Sequence, residues 1–350
     1  MSGATMKAVE VKDGKGPVGN LFINAETPKP VPGAGEVLVK AKAFGLNRMD
    51  LMQREGVYPM LPHYPKRLGV EFSGVIESIG PSAEHTCKGR TGETFTPGDE
   101  VLGLAYGGAY AEYISASASM LMHKPASLSW EEAAGIPETF ITATQALHVI
   151  GEFAPGKSVL WHAGASGVSI AGIQLSRDAG ASKIFATAGT DEKCRFVEGA
   201  EVGATKAFNY KTDDWEKGIL EATDGKGVDI IIDFVGASYF QHNLAVAAKD
   251  AHWVVVGMMG GTKLPEGTDI GPIAWKRLRI EGSTLRSRDL EYQGRLRDTL
   301  AGYLPDFEKD GGKEKLRVKV DAVFEMEDIQ KAHELMAANK SMGKIICTVP

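Results

Sequence analysis

The sequence predicts an α/β protein built on a doubly wound, six-stranded parallel sheet and accompanied by an irregular β-rich domain. Three observations lead there. From Gly156 onward, short β-branched runs alternate with amphipathic helical stretches, the pattern of parallel strands joined by crossover helices. Before about residue 125, glycine and proline repeatedly interrupt short alternating apolar runs, which reads as irregular β structure. Finally, 350 residues of which 43% are hydrophobic carry enough apolar material for two cores.

Six strands are expected, in "KSVLWHA", "KIFATAG", "ATKAFNY", "VDIIIDFVG", "HWVVVGMM" and "LRIEGSTL". Between the first two, Val168, Ile170, Ala171, Ile173 and Leu175 are spaced for a helix, and Gly180 stands where its C-terminus would be capped. The parallel-sheet domain is expected over residues 130–285. Residues 1–129 and 286–350 would form the other domain, the tail adding two helices around a strand in "LRVKVDAVF" and ending in "GKIICTVP". The polar stretch "SAEHTCKGRTGETFTPGD" is expected to be a flexible surface loop.

With 39 basic and 45 acidic residues the chain carries a formal charge of −6, which argues against nucleic acid as a default partner. Cys87, Cys194 and Cys347 are too few and too scattered for a disulfide framework or a four-thiolate metal site. The start "MSGATMKAVEVKD" has no apolar core and no run of 18 apolar residues occurs, so neither export nor membrane spanning is expected. A cytoplasmic protein is the resulting expectation.

The stretch that bears on function is "VLWHAGASGVSIAGIQLSRDAGA". Gly164, Ser166, Gly167 and Ser169 stand where the chain turns from strand to helix, and amides at a helix N-terminus suit a pyrophosphate. The dinucleotide fingerprint G-x-G-x-x-G is present only as G-x-S-x-x-S, and an ordinary tight turn needs the same small residues. Placement decides in favour of the cradle, because the loop opens the first of the six strand-helix alternations. A nucleophile elbow, G-x-S-x-G, fails because position 168 is Val, which leaves Ser166 as a small loop residue.

The second strand ends in Gly189-Thr190 with no carboxylate at its tip, where an acid would hold the ribose of NAD. Thr190 and Lys193, with Arg195 and Tyr210 near in sequence, suit the 2′-phosphate of NADP. Asp191 opposes that reading. The alternative is a solvated first helical turn, in which acids are favoured by the helix dipole.

The chain resembles the zinc-free, ζ-crystallin-like quinone oxidoreductases of the medium-chain dehydrogenase/reductase superfamily, nearly end to end. The resemblance is carried by "GEVLVKAKAFGLNRMDLMQREGVYP", "LGVEFSGVIESIG", "PGDEVLGL", "GGAYAEY", "AAGIPETFITATQAL", "HAGASGVSIAGIQLSRDAGA", "FNYK", "GVDIIIDFVGASY" and "GMMGG". "LRSRDLEYQGRL" and the terminal "GKI" are similar to the p53-inducible type. It implies a GroES-like first domain completed by the C-terminal segment, a Rossmann domain, NADPH in the cleft between them, and a homodimer. It also implies that a serine-containing phosphate loop is tolerated.

Zinc-dependent relatives hold catalytic metal through an early Cys and the His of a G-H-E segment. Here Asn47 and Val70 stand at those positions, with Glu71 retained, and no cysteine cluster replaces the structural site. No metal is expected. Hydride transfer is then confined to an acceptor that is already electrophilic, such as a quinone.

On this resemblance the pyrophosphate lies over Gly164, Ala165, Ser166, Gly167 and Val168, and the 2′-phosphate by Thr190, Lys193 and Tyr210. Asn47 and Thr142 flank the nicotinamide, while Phe234-Val235-Gly236 and Gly257-Met258-Met259 line the cofactor. Tyr58 meets the quinone. Each has a plainer alternative: Asn47 as a helix cap, Tyr58 as packing beside Pro59, and the two methionines as core. Arg286 and Arg288 read equally as a solvated turn or as groups near the cofactor phosphates, and His162 as a strand-end residue. The expected activity is NADPH-dependent quinone reduction, with an enone or 2-alkenal reductase as the alternative. A crystallin-like or RNA-associated binding role with little catalysis is a third reading.

Overall fold

The computed structural model describes residues 4–62, 64–81, 87–307 and 315–350. In chain order it opens with strands β1 (Thr5–Val11), β2 (Leu21–Pro28) and β3 (Glu36–Gly45), helix α1 (Arg48–Glu55), and β4 (Glu71–Ile79). Then follow β5 (Cys87–Lys88), β6 (Thr94–Phe95), β7 (Glu100–Leu104), β8 (Tyr113–Ser117) and β9 (Leu121–His123), and helices α2 (Trp130–Ala134) and α3 (Pro137–Thr144). The next segment runs β10 (Ser158–Trp161), α4 (Gly167–Asp178), β11 (Lys183–Ala188), α5 (Asp191–Glu198), β12 (Lys206–Asn209) and α6 (Trp215–Ala222). It continues with β13 (Val228–Asp233), α7 (Phe240–Val246), β14 (Ala247–Val255), α8 (Gly271–Trp275) and β15 (Arg279–Gly282). The tail holds α9 (Leu290–Tyr303), β16 (Val320–Glu325), α10 (Ile329–Ala337) and β17 (Lys344–Thr348).

Two compact units result: Met1–Ile141 with Arg286–Glu314 and Val318–Pro350, and Thr142–Leu285 with Lys315–Arg317. In the first, a seven-stranded sheet runs β16-β17-β3-β4-β7-β9, with β8 also on β3. The returning strand β17 pairs antiparallel with β3, Ile346 opposite Gly45 and Thr348 opposite Ala43. Phe44, Phe72, Val101, Tyr110, Ile345 and Cys347 fill its core. Residues 130–141, expected with the parallel sheet, belong to this unit: Ala134 and Trp130 pack with Ala43 and Ile346, so the boundary falls inside α3. The stretch expected as a flexible loop contains the paired strands β5 and β6. Its residues 82–86 lie outside the described residues.

The second unit carries the six expected strands, all parallel, in the order β12-β11-β10-β13-β14-β15. Ile230, Ile231 and Ile232 are buried in succession, as a strand covered on both faces requires. Helix α4 lies close on β10 because Gly172 faces the Trp161 indole; a Cβ there would strike the ring. Trp161 Nε1–H donates to Ser176 Oγ at 3.1 Å on the same helix, and Gly180, at φ +82°, ends it in the left-handed conformation.

Candidate functional site

The phosphate-loop candidate joins β10 to α4. Ala163 turns the chain at φ +52°, and Gly164 N–H donates to Thr187 O of β11 at 2.8 Å. A Cβ on Gly164 would lie 2.8 Å from that of Ala186, so the close approach requires glycine. Ser166 is the N-cap of α4; its Oγ accepts Ser169 N–H at 3.3 Å, and Ser169 Oγ–H donates to His162 O at 2.8 Å. The serines of the altered fingerprint thus replace glycine freedom with capping bonds. With Gly164, Ser166 and Ser169 amides engaged inside the protein, Gly167 and Val168 are the first-turn amides that the helix itself does not satisfy. A dinucleotide pyrophosphate fits this 12-residue helix terminus at the C-terminal edge of the first parallel strand.

Beside it, Thr190 caps α5 and accepts Lys193 N–H at 3.2 Å, which leaves the Thr190 hydroxyl proton to donate outward. Tyr210, 44% exposed, lays its hydroxyl over Gly189; a Cβ there would sit 2.8 Å from Oη. Gly189, Thr190, Lys193 and Tyr210 therefore share the ends of β11 and β12. Asp191 is turned toward β12, where its Oδ1 accepts Asn209 Nδ2–H at 2.7 Å.

The loops after β13 and β14 are zipped together: Met259 N–H donates to Phe234 O at 3.1 Å and Gly260 N–H to Val235 O at 2.7 Å. Gly236, at φ +80°, and Gly257 allow this approach, since Cβ atoms there would meet Gly261 O at 3.0 Å and Phe234 O at 3.1 Å. Met258 and Met259 are 57% and 53% exposed, which excludes the core reading. Thr142 is buried in the last turn of α3, followed by a π-helical turn over Gln145–Ile150.

Sequence reasoning missed the group that holds these loops. Buried Asp233 accepts Val235 N–H at 2.7 Å and Gly236 N–H at 3.0 Å on Oδ1, and Asn243 Nδ2–H at 3.2 Å and Trp253 Nε1–H at 3.1 Å on Oδ2. Because the Asn243 amide donates to Asp233, its Oδ1 faces His162 Nε2 at 2.8 Å, so that nitrogen carries the proton. His162 Nδ1 then accepts from the Thr187 hydroxyl at 2.9 Å, and burial holds the ring below its usual range, hence neutral. His162 is the strand-end residue the sequence predicts, directly after β10, and from there it links β11 to the Asp233 loop. An aspartate closing a "VDIIID" strand was the available signal.

The first unit brings a different set together. Asn47, the N-cap of α1, donates from Nδ2 to Glu71 Oε1 at 2.9 Å, and Lys344 Nζ donates to Asn47 Oδ1 at 2.9 Å, Leu46 O at 2.6 Å and Glu71 Oε1 at 2.5 Å. Glu71 Oε2 accepts Glu138 N–H at 2.9 Å. Gly45 makes room for this carboxylate, which a side chain at that position would strike. Asp50 lies beneath, accepting Asn47 N–H at 2.8 Å, Gly69 N–H at 3.1 Å and Tyr110 Oη–H at 3.1 Å; burial pushes its carboxyl up to about 6.

Tyr58 is half-buried, and burial together with neighbouring Glu138 pushes its phenol up to about 12. Its ring centroid lies 5.5 Å from the Arg286 guanidinium. Arg286 is 6% exposed and donates to Gln53 Oε1 and Tyr106 O, both at 2.7 Å, which overturns the solvated-turn reading. Arg288 is exposed over the Tyr292 ring, at 4.5 Å.

A zinc ion does not fit the Asn47 position, because the Lys344 ammonium already neutralises Glu71 there and Val70 offers no ligand. Among the described residues no group of three His, Cys, Asp or Glu side chains could hold a metal.

Residues 33–126 match the family described as alcohol dehydrogenase GroES-like domain, and residues 167–301 that described as zinc-binding dehydrogenase. The quinone oxidoreductase of Lama guanicoe is 28% identical over 97% of both chains. This chain belongs to the medium-chain dehydrogenase/reductase superfamily. A zinc-type alcohol dehydrogenase-like protein of Schizosaccharomyces pombe is 31% identical over 90% of this chain and 91% of its own. A mycobacterial structure complexed with NADPH superposes with a TM-score of 0.82 at 29% identity, covering 98% of this chain and 99% of that one. The two units are accordingly the superfamily's GroES-like and Rossmann-like domains, and the protein is a nicotinamide-dinucleotide-dependent oxidoreductase acting on a small molecule. No helix among the described residues is long and apolar enough to cross a membrane.

Proposed function

We propose that the protein is an NADPH-dependent, zinc-independent reductase of quinones. The observation that carries this reading is the Lys344 ammonium between Asn47 and Glu71, at the place where zinc-dependent relatives hold their metal. With no Lewis acid to polarise an alkoxide, the reaction is left to acceptors already electron-poor. Bound NADPH supplies the hydride.

The Rossmann-like domain would hold the pyrophosphate on the amides at the start of α4, within Gly164–Val168, and the 2′-phosphate by Thr190, Lys193 and Tyr210. The preference for NADPH is supported by Asp191, whose carboxylate is drawn away by Asn209. Phe234-Val235-Gly236 and Gly257-Met258-Met259, held by Asp233, would line the dinucleotide, with Thr142 near its nicotinamide. In the GroES-like domain Asn47 and Tyr58 are the polar groups assigned to the reacting molecules; the Tyr58 phenol, raised to about 12, stays protonated and donates a hydrogen bond. A homodimer is the expected assembly, supported by β15, an edge strand exposed along its whole length. Cytoplasmic residence agrees with three buried free cysteines.

Steady-state oxidation of NADPH with 1,2-quinones, 1,4-quinones and α,β-unsaturated ketones tests the assignment. Higher kcat/KM for a quinone is expected, and a clear preference for enones overturns it. Tight NADPH binding with no turnover on either class favours a binding role instead.

A further inference from the structure

Hydride transfer to a quinone leaves the product one proton short, and nothing so far supplies it. In addition to Asn47, the GroES-like domain gathers the carboxyls of Asp50 from α1, Glu71 from β4 and Glu138 from α3 with the phenols of Tyr58, from the loop that follows α1, and Tyr110. Their surroundings differ. Glu71 is fully enclosed and engaged by Lys344, the Asn47 amide and the Glu138 backbone N–H. Asp50 is also fully enclosed, its two oxygens taken by the Asn47 and Gly69 amides and the Tyr110 hydroxyl. Tyr58 holds its proton too tightly to give it up near neutral pH.

Glu138, at the second position of α3, is half-buried where Glu71 and Asp50 are fully buried. Its backbone is pinned by the same carboxylate that pins Asn47: Glu71 takes Asn47 Nδ2–H on one oxygen and Glu138 N–H on the other, each at 2.9 Å. One buried anion thus fixes the Glu138 backbone, and with it the start of α3, relative to the amide assigned to the reacting molecules. The charges acting on Glu138 come from every side of the cluster: Glu71 and Asp50 disfavour its ionised form, while Lys344 and Arg286 favour it.

Resting on the quinone-reductase reading, we propose that Glu138 is the acid that protonates the reduced acceptor. Hydride adds to the quinone with its electron pair, giving a hydroquinone monoanion; the Glu138 O–H bond then breaks and a new O–H bond forms on the phenolate oxygen. Products are hydroquinone and the Glu138 carboxylate, which water reprotonates before the next turnover. Burial and the Glu71 charge raise the Glu138 carboxyl to about 7, so a large share of it is protonated near neutral pH, yet it is a stronger acid than a phenol near 10. That matching suits general-acid catalysis in either direction of proton exchange.

The test pairs Glu138→Gln with Glu138→Asp and reads two signals. In the cofactor-free protein, pH-difference infrared spectra of the wild type should show a carboxyl band that disappears with a midpoint near 7 and is missing from Glu138→Gln. In turnover with NADPH and a 1,4-naphthoquinone, wild-type kcat should fall as pH rises through that midpoint, whereas Glu138→Gln should be roughly 10²-fold slower and lose the limb. Glu138→Asp should keep a displaced limb, which serves if the Gln variant does not fold, and NADPH affinity should stay within two-fold for both, about 0.4 kcal/mol. A limb unchanged in Glu138→Gln, or no carboxyl band assignable to Glu138, overturns the proposal while leaving quinone reduction intact. Absence of wild-type turnover with any quinone overturns the quinone reading and this step together.

Discussion

Lys344 and Glu71 form a buried ion pair, Nζ to Oε1 at 2.5 Å with side chains 4% and 0% exposed, joining residues from the last strand of the chain and from β4. Removing one partner of such a pair leaves an uncompensated charge in a low-dielectric site, at a cost of about 3–5 kcal/mol. Lys344→Met should therefore lower the urea midpoint sharply, and Lys344→Met/Glu71→Gln should recover much of the loss. A single variant as stable as the wild type would show that the pair is solvated.

Asp50 makes a pH-dependent contribution of definite sign. Its carboxyl is raised from 3.8 to about 6 in the fold, so the folded protein binds that proton more tightly than the unfolded chain. The contribution is full below about 3.8 and is lost as pH rises through 6, a change on the order of 2–3 kcal/mol. Unfolding free energies of wild type and Asp50→Asn, measured at pH values below and above this window, should converge or cross toward neutrality. A constant difference contradicts the assignment.

Asp233 receives four buried donors, and an asparagine in its place accepts on one oxygen only. Each orphaned donor costs ~1–3 kcal/mol, so Asp233→Asn should melt earlier and bind NADPH more weakly as the loop at 234–236 loosens. Calorimetry with and without cofactor measures both effects. A variant that is destabilised but binds NADPH normally would separate this aspartate from the cofactor.

Lys193→Ala should weaken NADPH by roughly 1.5–3 kcal/mol, the range of a hydrogen bond to a charged group, and leave NADH nearly untouched. Fluorescence titration with both dinucleotides reads the difference. Equal losses would contradict a 2′-phosphate at Thr190, Lys193 and Tyr210.

Much of the fold was legible because parallel strands announce themselves locally: "VDIIID" carries an unbroken Ile230–Ile232 run, and Gly180 stands where α4 ends. The tight turn from β10 into α4 was legible for the same reason, although Ser166 reads as a small loop residue and its Oγ in fact caps the helix. Partnerships across the chain were not. Nothing near "GKIICTVP" says that Lys344 meets a glutamate 273 positions earlier; that follows from β17 returning beside β3. Within "AAGIPETFITATQAL" nothing marks Glu138, since the groups that act on it, Glu71, Lys344, Asp50 and Arg286, come from four other segments. The boundary at 130 missed because Trp130 and Ala134 are apolar in either setting, and only the first sheet offers Ala43 and Ile346 to cover them.

Transfer of deuterium is the most direct measurement of the central idea, that hydride passes from a nicotinamide to an electron-poor acceptor with no metal ion. Protein dialysed against a chelator should oxidise NADPH with a 1,4-naphthoquinone at an undiminished rate. Deuterium at the transferred C4 position should slow the single-turnover step in a primary isotope effect. Activity that vanishes on chelation and returns with zinc, or oxidation indifferent to the label under single-turnover conditions, would contradict it.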